Sequence, residues 1–327
     1  MEFQPVQRAA DAFQQTVSPD QIQAICRRAF GKRTQIVSAV ELGAGTYNNT
    51  YRVDLGEDRP VILRVAPEPA RQNRIERELM RNEHASLPYF APIGAMLPRT
   101  LAIDFTHEVI GRDYLIQTML DGVPGPEGLT AYPRQRWASF YRQLGTIARD
   151  VHSVTGPHFG PVRGPGFATW SEAMLASLDD TAADLDDARL DATDVREVAK
   201  AAAQDRAVLD EITRPRLLHG DLWTVNVMLA RDAPEPTITG VFDCDRTSWG
   251  DPAADWTIYL ASRRPDRTAF WETYGAPSRT PGATRRALYY LARHLGAIRL
   301  ERHRLGRPDR DPGTYAELSA VLTQLLA

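Results

Sequence analysis

The spacing of hydrophobic residues changes along the chain near residue 120. Before that point, short apolar runs rich in β-branched and aromatic residues recur around Ile36–Leu42, Thr50–Leu55, Val61–Val65, Thr100–Glu108 and Tyr114–Leu120. Such runs, when they are separated by glycine-containing connections, are typical of strands joined by hairpins. The pattern predicts that residues 1–120 form a first domain, an antiparallel β-sheet with one main helix over Arg71–Leu87.

Helical spacing dominates after a glycine- and proline-rich stretch at residues 122–126, which marks the predicted boundary between two domains. Apolar residues recur every three or four positions in Trp137–Val151, in Leu288–Leu300 and in Tyr315–Leu326. Thr169 and Glu172 form the Thr-x-x-Glu pattern of a capping box, which predicts the start of another helix. Residues 121–327 are therefore predicted to form a mostly helical second domain, and the chain as a whole an α+β fold.

The overall composition narrows the class of protein. Of 327 residues, 43% are hydrophobic and 25% are charged, with a net charge of −3, as in ordinary globular enzymes. Because no excess of positive charge is present, we expect no nucleic-acid partner. No apolar run approaches the ~18 residues of a membrane helix, residues 1–10 lack the apolar core of a secretory signal, and two cysteines are too few for a secreted disulfide framework. These features predict a cytoplasmic protein without a membrane partner, and they leave its oligomeric state open.

Three polar motifs follow one another in the second domain. Residues 217–226 read Leu-Leu-His-Gly-Asp-Leu-Trp-Thr-Val-Asn, so that Asn226 follows Asp221 by five residues. An apolar stretch at residues 240–242 then leads into Asp243 and Asp245, and a Gly-Asp-Pro triplet at residues 250–252 precedes Asp255. An aspartate can accept a proton from an attacking hydroxyl, and carboxylate and amide oxygens can bind Mg²⁺. The motifs therefore predict a phosphoryl-transfer site.

This series of motifs resembles the signature of the aminoglycoside phosphotransferase and choline kinase superfamily of small-molecule kinases. The resemblance covers roughly residues 38–260. It implies a bilobal, protein-kinase-like fold with an antiparallel N-terminal sheet and a mostly helical C-terminal lobe, and it implies ATP and Mg²⁺ as cofactors. Asp221 is then the catalytic base, and Asn226 and Asp243 are the metal ligands. Asp245 is implied either to orient Asp243 or to be structural, whereas Asp255 is implied to brace the catalytic loop.

The same resemblance implies nucleotide-binding residues in the first domain. A glycine-rich stretch between two predicted strands is similar to a phosphate-covering loop, although it departs from the Gly-x-Gly-x-x-Gly pattern because an asparagine stands in the third place. The loop residues implied to contact phosphate are Gly43, Gly45, Thr46 and Asn48. Gln117 and Met119 lie where the family's strand and interlobe linker meet adenine.

Arg64 stands on the predicted strand where kinase-like folds usually carry the lysine that holds the α- and β-phosphates. Because a guanidinium can hold phosphate through two parallel hydrogen bonds, the substitution is compatible with nucleotide binding. The resemblance also implies a helical glutamate as the partner of Arg64. Glu78 is the favoured residue and Glu76 the alternate, whereas a merely solvated helix face is the alternative interpretation for both.

The acceptor is predicted to be a hydroxyl group of a small molecule. Only 11 residues separate Asp243 from Asp255, too few for the peptide-docking segment of protein kinases. The stretch Glu172–Glu211 carries 12 acidic and 4 basic residues, either as a solvated helical pair or as an attractive wall for a cation. An aminoglycoside or related antibiotic is therefore the leading acceptor. A metabolic sugar kinase is the first alternative, because His-Gly-Asp-Leu-Trp is also typical of fructosamine kinases, and a nucleotide-binding protein without catalysis is the second.

Overall fold

The computed structural model describes residues 1–9, 12–56, 60–264, 267–307 and 313–327. The chain divides into two compact units. Unit 1 comprises Met1–Gln72 and Leu97–Asp121, and unit 2 comprises Asn73–Met96 and Gly122–Ala327. The change of unit after Asp121 falls one residue beyond the predicted division at residues 120 and 121. Residues 73–96, in contrast, were predicted in the first domain and belong to unit 2.

Unit 1 is built on one six-stranded sheet. Its strands are β1 (Glu2–Gln4), β2 (Ser38–Glu41), β3 (Asn49–Asp54), β4 (Pro60–Val65), β5 (Thr100–Asp104) and β6 (Tyr114–Thr118). The strand order is β1-β2-β3-β4-β6-β5. Neighbouring strands are antiparallel except for the parallel pair of β1 and β2. The five predicted strands are therefore present, and the three-residue β1 is an addition that is too short to show a periodic pattern.

One helix, α1 (Pro19–Phe30), packs on the sheet of unit 1. Ser18 caps it: the Ser18 hydroxyl accepts the Gln21 N–H, and the Gln21 side chain accepts the Ser18 N–H. Ile22 and Ile25 lie fully buried in one cluster with strand residues such as Leu63. The capping box and the apolar stripe together explain why this segment is helical and which face it buries.

Unit 2 is mostly helical. Its helices are α2 (Leu79–Ser86), α3 (Gly125–Thr130), α4 (Trp137–His152), α5 (Trp170–Asp187), α6 (Thr193–Gln204), α7 (Arg206–Leu209), α8 (Trp256–Ser262), α9 (Ala269–Tyr274), α10 (Pro281–Arg304) and α11 (Thr314–Leu326). Its strands are β7 (Val123–Pro124), β8 (Gly160–Pro161), β9 (Arg216–Leu218), β10 (Val227–Leu229), β11 (Ile238–Val241) and β12 (Ser248–Gly250). They form two three-stranded sheets, β11-β10-β7 and β8-β12-β9. Within the described ranges, no helix combines the length and the apolar character needed to span a membrane.

The main core of unit 2 lies among helices α5, α6, α10 and α11. Leu178 and Leu185 of α5 meet Val198 of α6, Leu295 of α10 and Val321 of α11 in one buried cluster. Each fully buried aliphatic side chain of this kind stabilises the fold by about 1.5–3 kcal/mol relative to an exposed one. This core holds α5 and α6, the two longest helices of the acidic stretch Glu172–Glu211.

The predicted helix Arg71–Leu87 is shorter in the structure. Only Leu79–Ser86 is α-helical, and the segment before it contains single 3-10 turns and ends in a left-handed residue, Glu78, at φ 56°. The carboxylate of Asp184 accepts the main-chain N–H groups of Arg74 and Ile75 at 2.9 and 3.0 Å. These tertiary contacts fix a non-helical path and outweigh the helix propensity of the charged residues.

Candidate active site

The loop that carries the His-Gly-Asp motif begins directly after strand β9. Gly220 adopts a left-handed conformation with φ 82°, and a Cβ atom there would lie 2.2 Å from the carbonyl oxygen of Arg246. Both constraints admit only glycine at this position. The sharp bend after His219 therefore depends on Gly220, and it places Asp221 at the turn of the loop.

Asp255 holds this loop by main-chain hydrogen bonds. Its Oδ2 accepts the N–H of His219 at 2.8 Å, and its Oδ1 accepts the N–H of Gly220 at 3.2 Å. The Nε2 atom of His152 lies 2.9 Å from the same Oδ2. Burial alone would raise the pKa of Asp255, but the hydrogen bond and charge of His152 outweigh it and the pKa is lowered. The carboxylate is therefore ionised and braces the loop, the role predicted for it.

Asp221 and Asn226 are in direct contact. The amide nitrogen Nδ2 of Asn226 donates to the main-chain oxygen of Asp221 at 2.8 Å and to its Oδ2 at 2.9 Å. Because both N–H bonds of Asn226 are used in this way, its Oδ1 is the atom that it can offer to a cation. Burial raises the pKa of Asp221 to about 8, the charge of Arg246 opposes this, and the charge of Asp243 adds to it.

Three carboxylates gather next to this loop in unit 2. The side chains of Glu83, Asp243 and Asp245 place oxygen atoms within 4.8 Å of one another. Asp243 follows strand β11 in a left-handed conformation with φ 64°, and Phe242 before it donates its N–H to the carbonyl of Asn226 at 3.1 Å. A set of oxygen ligands is what Mg²⁺ prefers, so these residues together with Asn226 fit a magnesium ion.

Sequence reasoning missed Glu83, the third carboxylate of this cluster. It lies on α2, where the neighbouring residue Asn82 donates from Nδ2 to the main-chain oxygens of Asp245 and Thr247, both at 2.8 Å. This contact fixes α2 against the segment that follows Asp243. The sequence offers no signal for Glu83, because nothing in the local pattern says that this helix meets the segment after β11.

The two glutamates predicted as partners of Arg64 have different surroundings. Glu76 is buried and forms ion pairs with Arg246, at 2.7 Å, and with Arg304. Burial alone would raise the pKa of Glu76, but the charges of the two arginines outweigh it and the pKa is lowered. Glu78 is exposed at the start of α2 and forms an ion pair with Arg163. The pairing of Arg64 with either glutamate stays a prediction.

The predicted nucleotide contacts lie in unit 1. The loop between β2 and β3 contains Gly43, Gly45 and Thr46, and the side chain of Gln14 donates to the carbonyl oxygens of Gly45, at 3.3 Å, and Asn48, at 2.8 Å. These hydrogen bonds hold the loop against the N-terminal segment. The roles of its residues in binding phosphate stay predictions.

The other predicted nucleotide contacts lie on or near strands β4 and β6. Arg64 is 5% exposed on β4, opposite Leu115 of β6. Gln117 is buried on β6, and Met119, directly after this strand, is exposed. Gln117 pairs with Ile62 of β4 in the sheet register. The roles of Arg64, Gln117 and Met119 in nucleotide binding stay predictions.

The acidic stretch Glu172–Glu211 is largely engaged in contacts within unit 2. Asp184 binds the guanidinium of Arg74 at 3.0 Å, and Asp194 binds Arg299 through both carboxylate oxygens at 2.9 and 2.7 Å. Side-chain hydrogen bonds or ion pairs also engage Glu172, Asp186, Asp187, Asp191, Glu197, Asp205, Asp210 and Glu211. Much of the negative charge of this stretch is therefore compensated locally.

The fold is that of known small-molecule kinases. A thermostable mutant of aminoglycoside phosphotransferase APH(4)-Ia, solved as a ternary complex with AMP-PNP and hygromycin B, is similar with a TM-score of 0.62 and 17% identity over 93% of this chain and 97% of that chain. A Thermobifida fusca YX-ER1 protein with a proposed fructosamine-3-kinase activity has a TM-score of 0.61 and 19% identity over 93% of this chain and 99% of that chain. These likenesses confirm the predicted α+β, protein-kinase-like fold.

Residues 38–291 match the model of the phosphotransferase enzyme family, and the chain belongs to that family. The superfamily resemblance of the three polar motifs is thereby confirmed. A probable ketoamine kinase of Staphylococcus aureus (strain NCTC 8325 / PS 47) is 29% identical over 207 residues, which are 58% of this chain. The match spans 64% of that relative, less than two thirds of its length.

Proposed function

We propose that this protein transfers the terminal phosphoryl group of ATP to a hydroxyl group of a small molecule, in a magnesium-dependent reaction. One observation carries the proposal: a single asparagine, Asn226, both hydrogen-bonds the carboxylate of Asp221 and adjoins the strand end that presents Asp243. These contacts support a proposed base and a proposed cation site that lie next to each other. Phosphoryl transfer needs chiefly such positioning together with charge stabilisation.

Asp221 is the proposed catalytic base. Its Oδ2 is occupied by the amide of Asn226, so Oδ1 is the oxygen that accepts the proton of the acceptor hydroxyl. The raised pKa brings this carboxyl into the range where a general base works near neutral pH. The main-chain bonds from Asp255 keep the loop in place while Asp221 takes the proton.

Asn226, Asp243, Glu83 and Asp245 are the proposed holders of magnesium. When bound, the cation neutralises negative charge on the phosphates of the nucleotide. The proposed contacts of those phosphates are Arg64 and the loop residues Gly43, Gly45, Thr46 and Asn48. Gln117 and Met119 are proposed to lie near the adenine of the nucleotide. Arginine suits this role because its planar donors match phosphate oxygens.

Within this activity, we propose a sugar-like ketoamine as the acceptor rather than a polycationic aminoglycoside. Three observations support this. The Staphylococcus aureus relative is a probable ketoamine kinase, and the loop reads His-Gly-Asp-Leu-Trp as in fructosamine kinases. Six of the twelve acidic side chains of the stretch Glu172–Glu211 form ion pairs with arginines. One observation does not support a ketoamine acceptor. Residues 243–245, which follow strand β11, read Asp-Cys-Asp, whereas fructosamine kinases carry Asp-Pro-Ala there.

An aminoglycoside is the second candidate acceptor. Asp179 and Asp180 of α5 form no ion pair among the residues that the structure describes. Burial and the neighbouring Asp184 raise the pKa of Asp180, and the charges of Arg74 and Arg77 oppose the rise. A cationic acceptor would be attracted to Asp179 and Asp180. Solved structures of the same fold include a complex with hygromycin B.

A panel of acceptors tests both candidates. The purified chain would be incubated with ATP, Mg²⁺ and either a fructose–lysine adduct, a ribose–lysine adduct, hygromycin B or kanamycin, and ADP release and phosphorus NMR of the product would be followed. We expect acceptor-dependent ADP release and a phosphomonoester signal with the sugar adducts only. The Asp221→Asn variant is the matched control. Product with the aminoglycosides alone would favour the second candidate, and no product with any hydroxyl compound would contradict the kinase proposal.

A further inference from the structure

The residue between the two aspartates of the Asp-Cys-Asp triplet is in contact with the catalytic loop. Cys244 is 2% exposed, and its Sγ lies 3.4 Å from Nε2 of His219, which is 1% exposed. The Phe90 ring packs edge-on against the same imidazole, with ring centroids 5.7 Å apart. The thiol therefore meets the imidazole inside the core, beside the acidic cluster.

The other nitrogen of the His219 ring, Nδ1, faces the main chain of Asp221. This atom accepts the main-chain N–H of Asp221 at 3.4 Å, so Nδ1 must carry no proton. Burial lowers the pKa of His219 to about 4, and the ring is neutral at physiological pH. Its one proton is therefore on Nε2, from which it points at the Cys244 sulfur, a weak acceptor. In the opposite tautomer, the N–H of Asp221 would face a second N–H group.

We propose that Cys244 is a positioning residue for the catalytic base: its sulfur holds His219 in the tautomer whose Nδ1 fixes the main-chain N–H of Asp221. The inference rests on the proposed role of Asp221. Three successive N–H groups of the loop then have fixed acceptors, since Asp255 accepts those of His219 and Gly220. Cys244 also follows Asp243 directly. Its contact with His219 therefore connects the loop of the catalytic base, Asp221, with the segment that carries the proposed magnesium ligands Asp243 and Asp245.

The test uses variants of the full chain and readouts that need no acceptor. Cys244→Ala removes the sulfur, Cys244→Ser restores a small acceptor, and Cys26→Ala is the matched control, because Cys26 is also fully buried but lies in the core of unit 1. In the wild type, nitrogen-15 NMR of the His219 ring should show an unprotonated Nδ1 and a protonated Nε2. The His219 signals would be assigned by their loss in His219→Asn.

In Cys244→Ala we expect the two tautomers to mix and the Asp221 amide to exchange its hydrogen about tenfold faster, because its local protection depends on this bond. Cys244→Ser should restore most of the protection, and Cys26→Ala should leave it unchanged. With the acceptor found in the panel, kcat of Cys244→Ala should fall about tenfold while KM for ATP changes less than twofold, since small displacements of a reacting group act on kcat.

A protonated Nδ1 in the wild type would overturn the proposal, and so would an unchanged His219 spectrum and Asp221 exchange in Cys244→Ala. Failure of every acceptor with normal NMR behaviour would instead count against the kinase proposal alone. Unchanged kcat in Cys244→Ala, with the tautomer altered, would overturn the positioning role and leave the kinase proposal intact.

Discussion

His152 Nε2 lies 2.9 Å from Oδ2 of Asp255, and both side chains are almost fully buried. Behind this pair, the hydroxyl of Tyr274 lies 2.8 Å from the other ring nitrogen of His152. In front of it, the same carboxylate accepts the N–H groups of His219 and Gly220. Helices α4, α8 and α9 are thereby connected to the catalytic loop through one buried carboxylate.

Replacing His152 by alanine should therefore damage both stability and turnover. Removing one partner of a buried pair leaves an uncompensated charge and costs about 3–5 kcal/mol. We expect a loss of this size in urea unfolding, together with a lower kcat. Tyr274→Phe removes only the outer hydroxyl and is the milder comparison, with an expected loss of about 1 kcal/mol. If His152→Ala unfolded at the same urea concentration as the wild type, the loop would not depend on this pair.

The Asp255 carboxylate should also contribute to the acid sensitivity of the fold. Its pKa is lowered in the folded state, so the stability it supplies is present above the unfolded aspartate pKa of about 3.9 and is lost as the pH falls below it. The difference in unfolding free energy between wild type and Asp255→Asn should therefore be larger at pH 6 than at pH 3. Urea titrations at both values measure it, and a difference that grew toward pH 3 would reverse the assigned sign.

Glu83 should matter for magnesium although no motif identified it. Glu83→Gln keeps the shape of the side chain but removes one charged ligand from the cluster with Asp243 and Asp245. We expect the magnesium concentration for half-maximal activity to rise about tenfold, as it should for Asp243→Asn and Asn226→Ala. Glu235→Gln, an exposed change in the same unit, is the control. Identical magnesium titrations for Glu83→Gln and wild type would remove Glu83 from the site.

Arg64 should affect the nucleotide and not the acceptor. Calorimetric titration with ATP should show at least ~10-fold weaker binding by Arg64→Ala, because a charge-assisted contact to phosphate is lost. Arg64→Lys should retain part of the affinity, since it keeps the charge and loses the planar fork. Arg99→Ala, which removes an exposed arginine of unit 1, should bind ATP normally. Equal ATP affinity in Arg64→Ala and Arg99→Ala would contradict the role of Arg64 in nucleotide binding.

The acidic stretch of α5 should serve stability more than acceptor binding. Asp184→Asn weakens the hydrogen bonds that the buried Asp184 carboxylate accepts from the main-chain N–H groups of Arg74 and Ile75, and it removes the ion pair with Arg74. We therefore expect the substitution to lower the free energy of unfolding by about 1–3 kcal/mol. For a sugar-type acceptor, KM should stay flat between low and physiological salt. An acceptor KM that rises with salt, and rises again in the double variant Asp179→Asn/Asp180→Asn, would restore the interpretation of this stretch as a cation-attracting wall.

Local signals in the sequence predicted the elements whose cause is local. Thr169 and Glu172 start α5, because these residues act on their own helix turn. The parallel pairing of β1 with β2 and the non-helical path before α2 depend on contacts between distant residues. Asp184 sets that path from more than 100 positions away along the chain.

The candidate site was predictable to the same extent. The resemblance of the polar motifs to the family's signature implied Asp221, Asn226 and Asp243, which lie in neighbouring parts of the chain. Glu83 and the contact of Cys244 with His219 became visible only in three dimensions. Glu83 is far from Asp243 in sequence, and the contact of Cys244 with His219 depends on how the side chains of two neighbouring segments pack. Their side chains also carry no pattern of their own, because a glutamate on a helix and a lone buried cysteine are common in any core.

The most direct test of the proposed mechanism is the turnover of Asp221→Asn with the acceptor that the panel identifies. The variant keeps the size of the side chain, so ATP affinity by calorimetry and the thermal unfolding temperature should remain close to the wild-type values. Because a positioned general base contributes ~10² to 10⁴ in rate, kcat should fall by at least about a hundredfold. A variant that binds ATP normally and retains more than about a tenth of the wild-type kcat would contradict the assignment of Asp221 as the catalytic base.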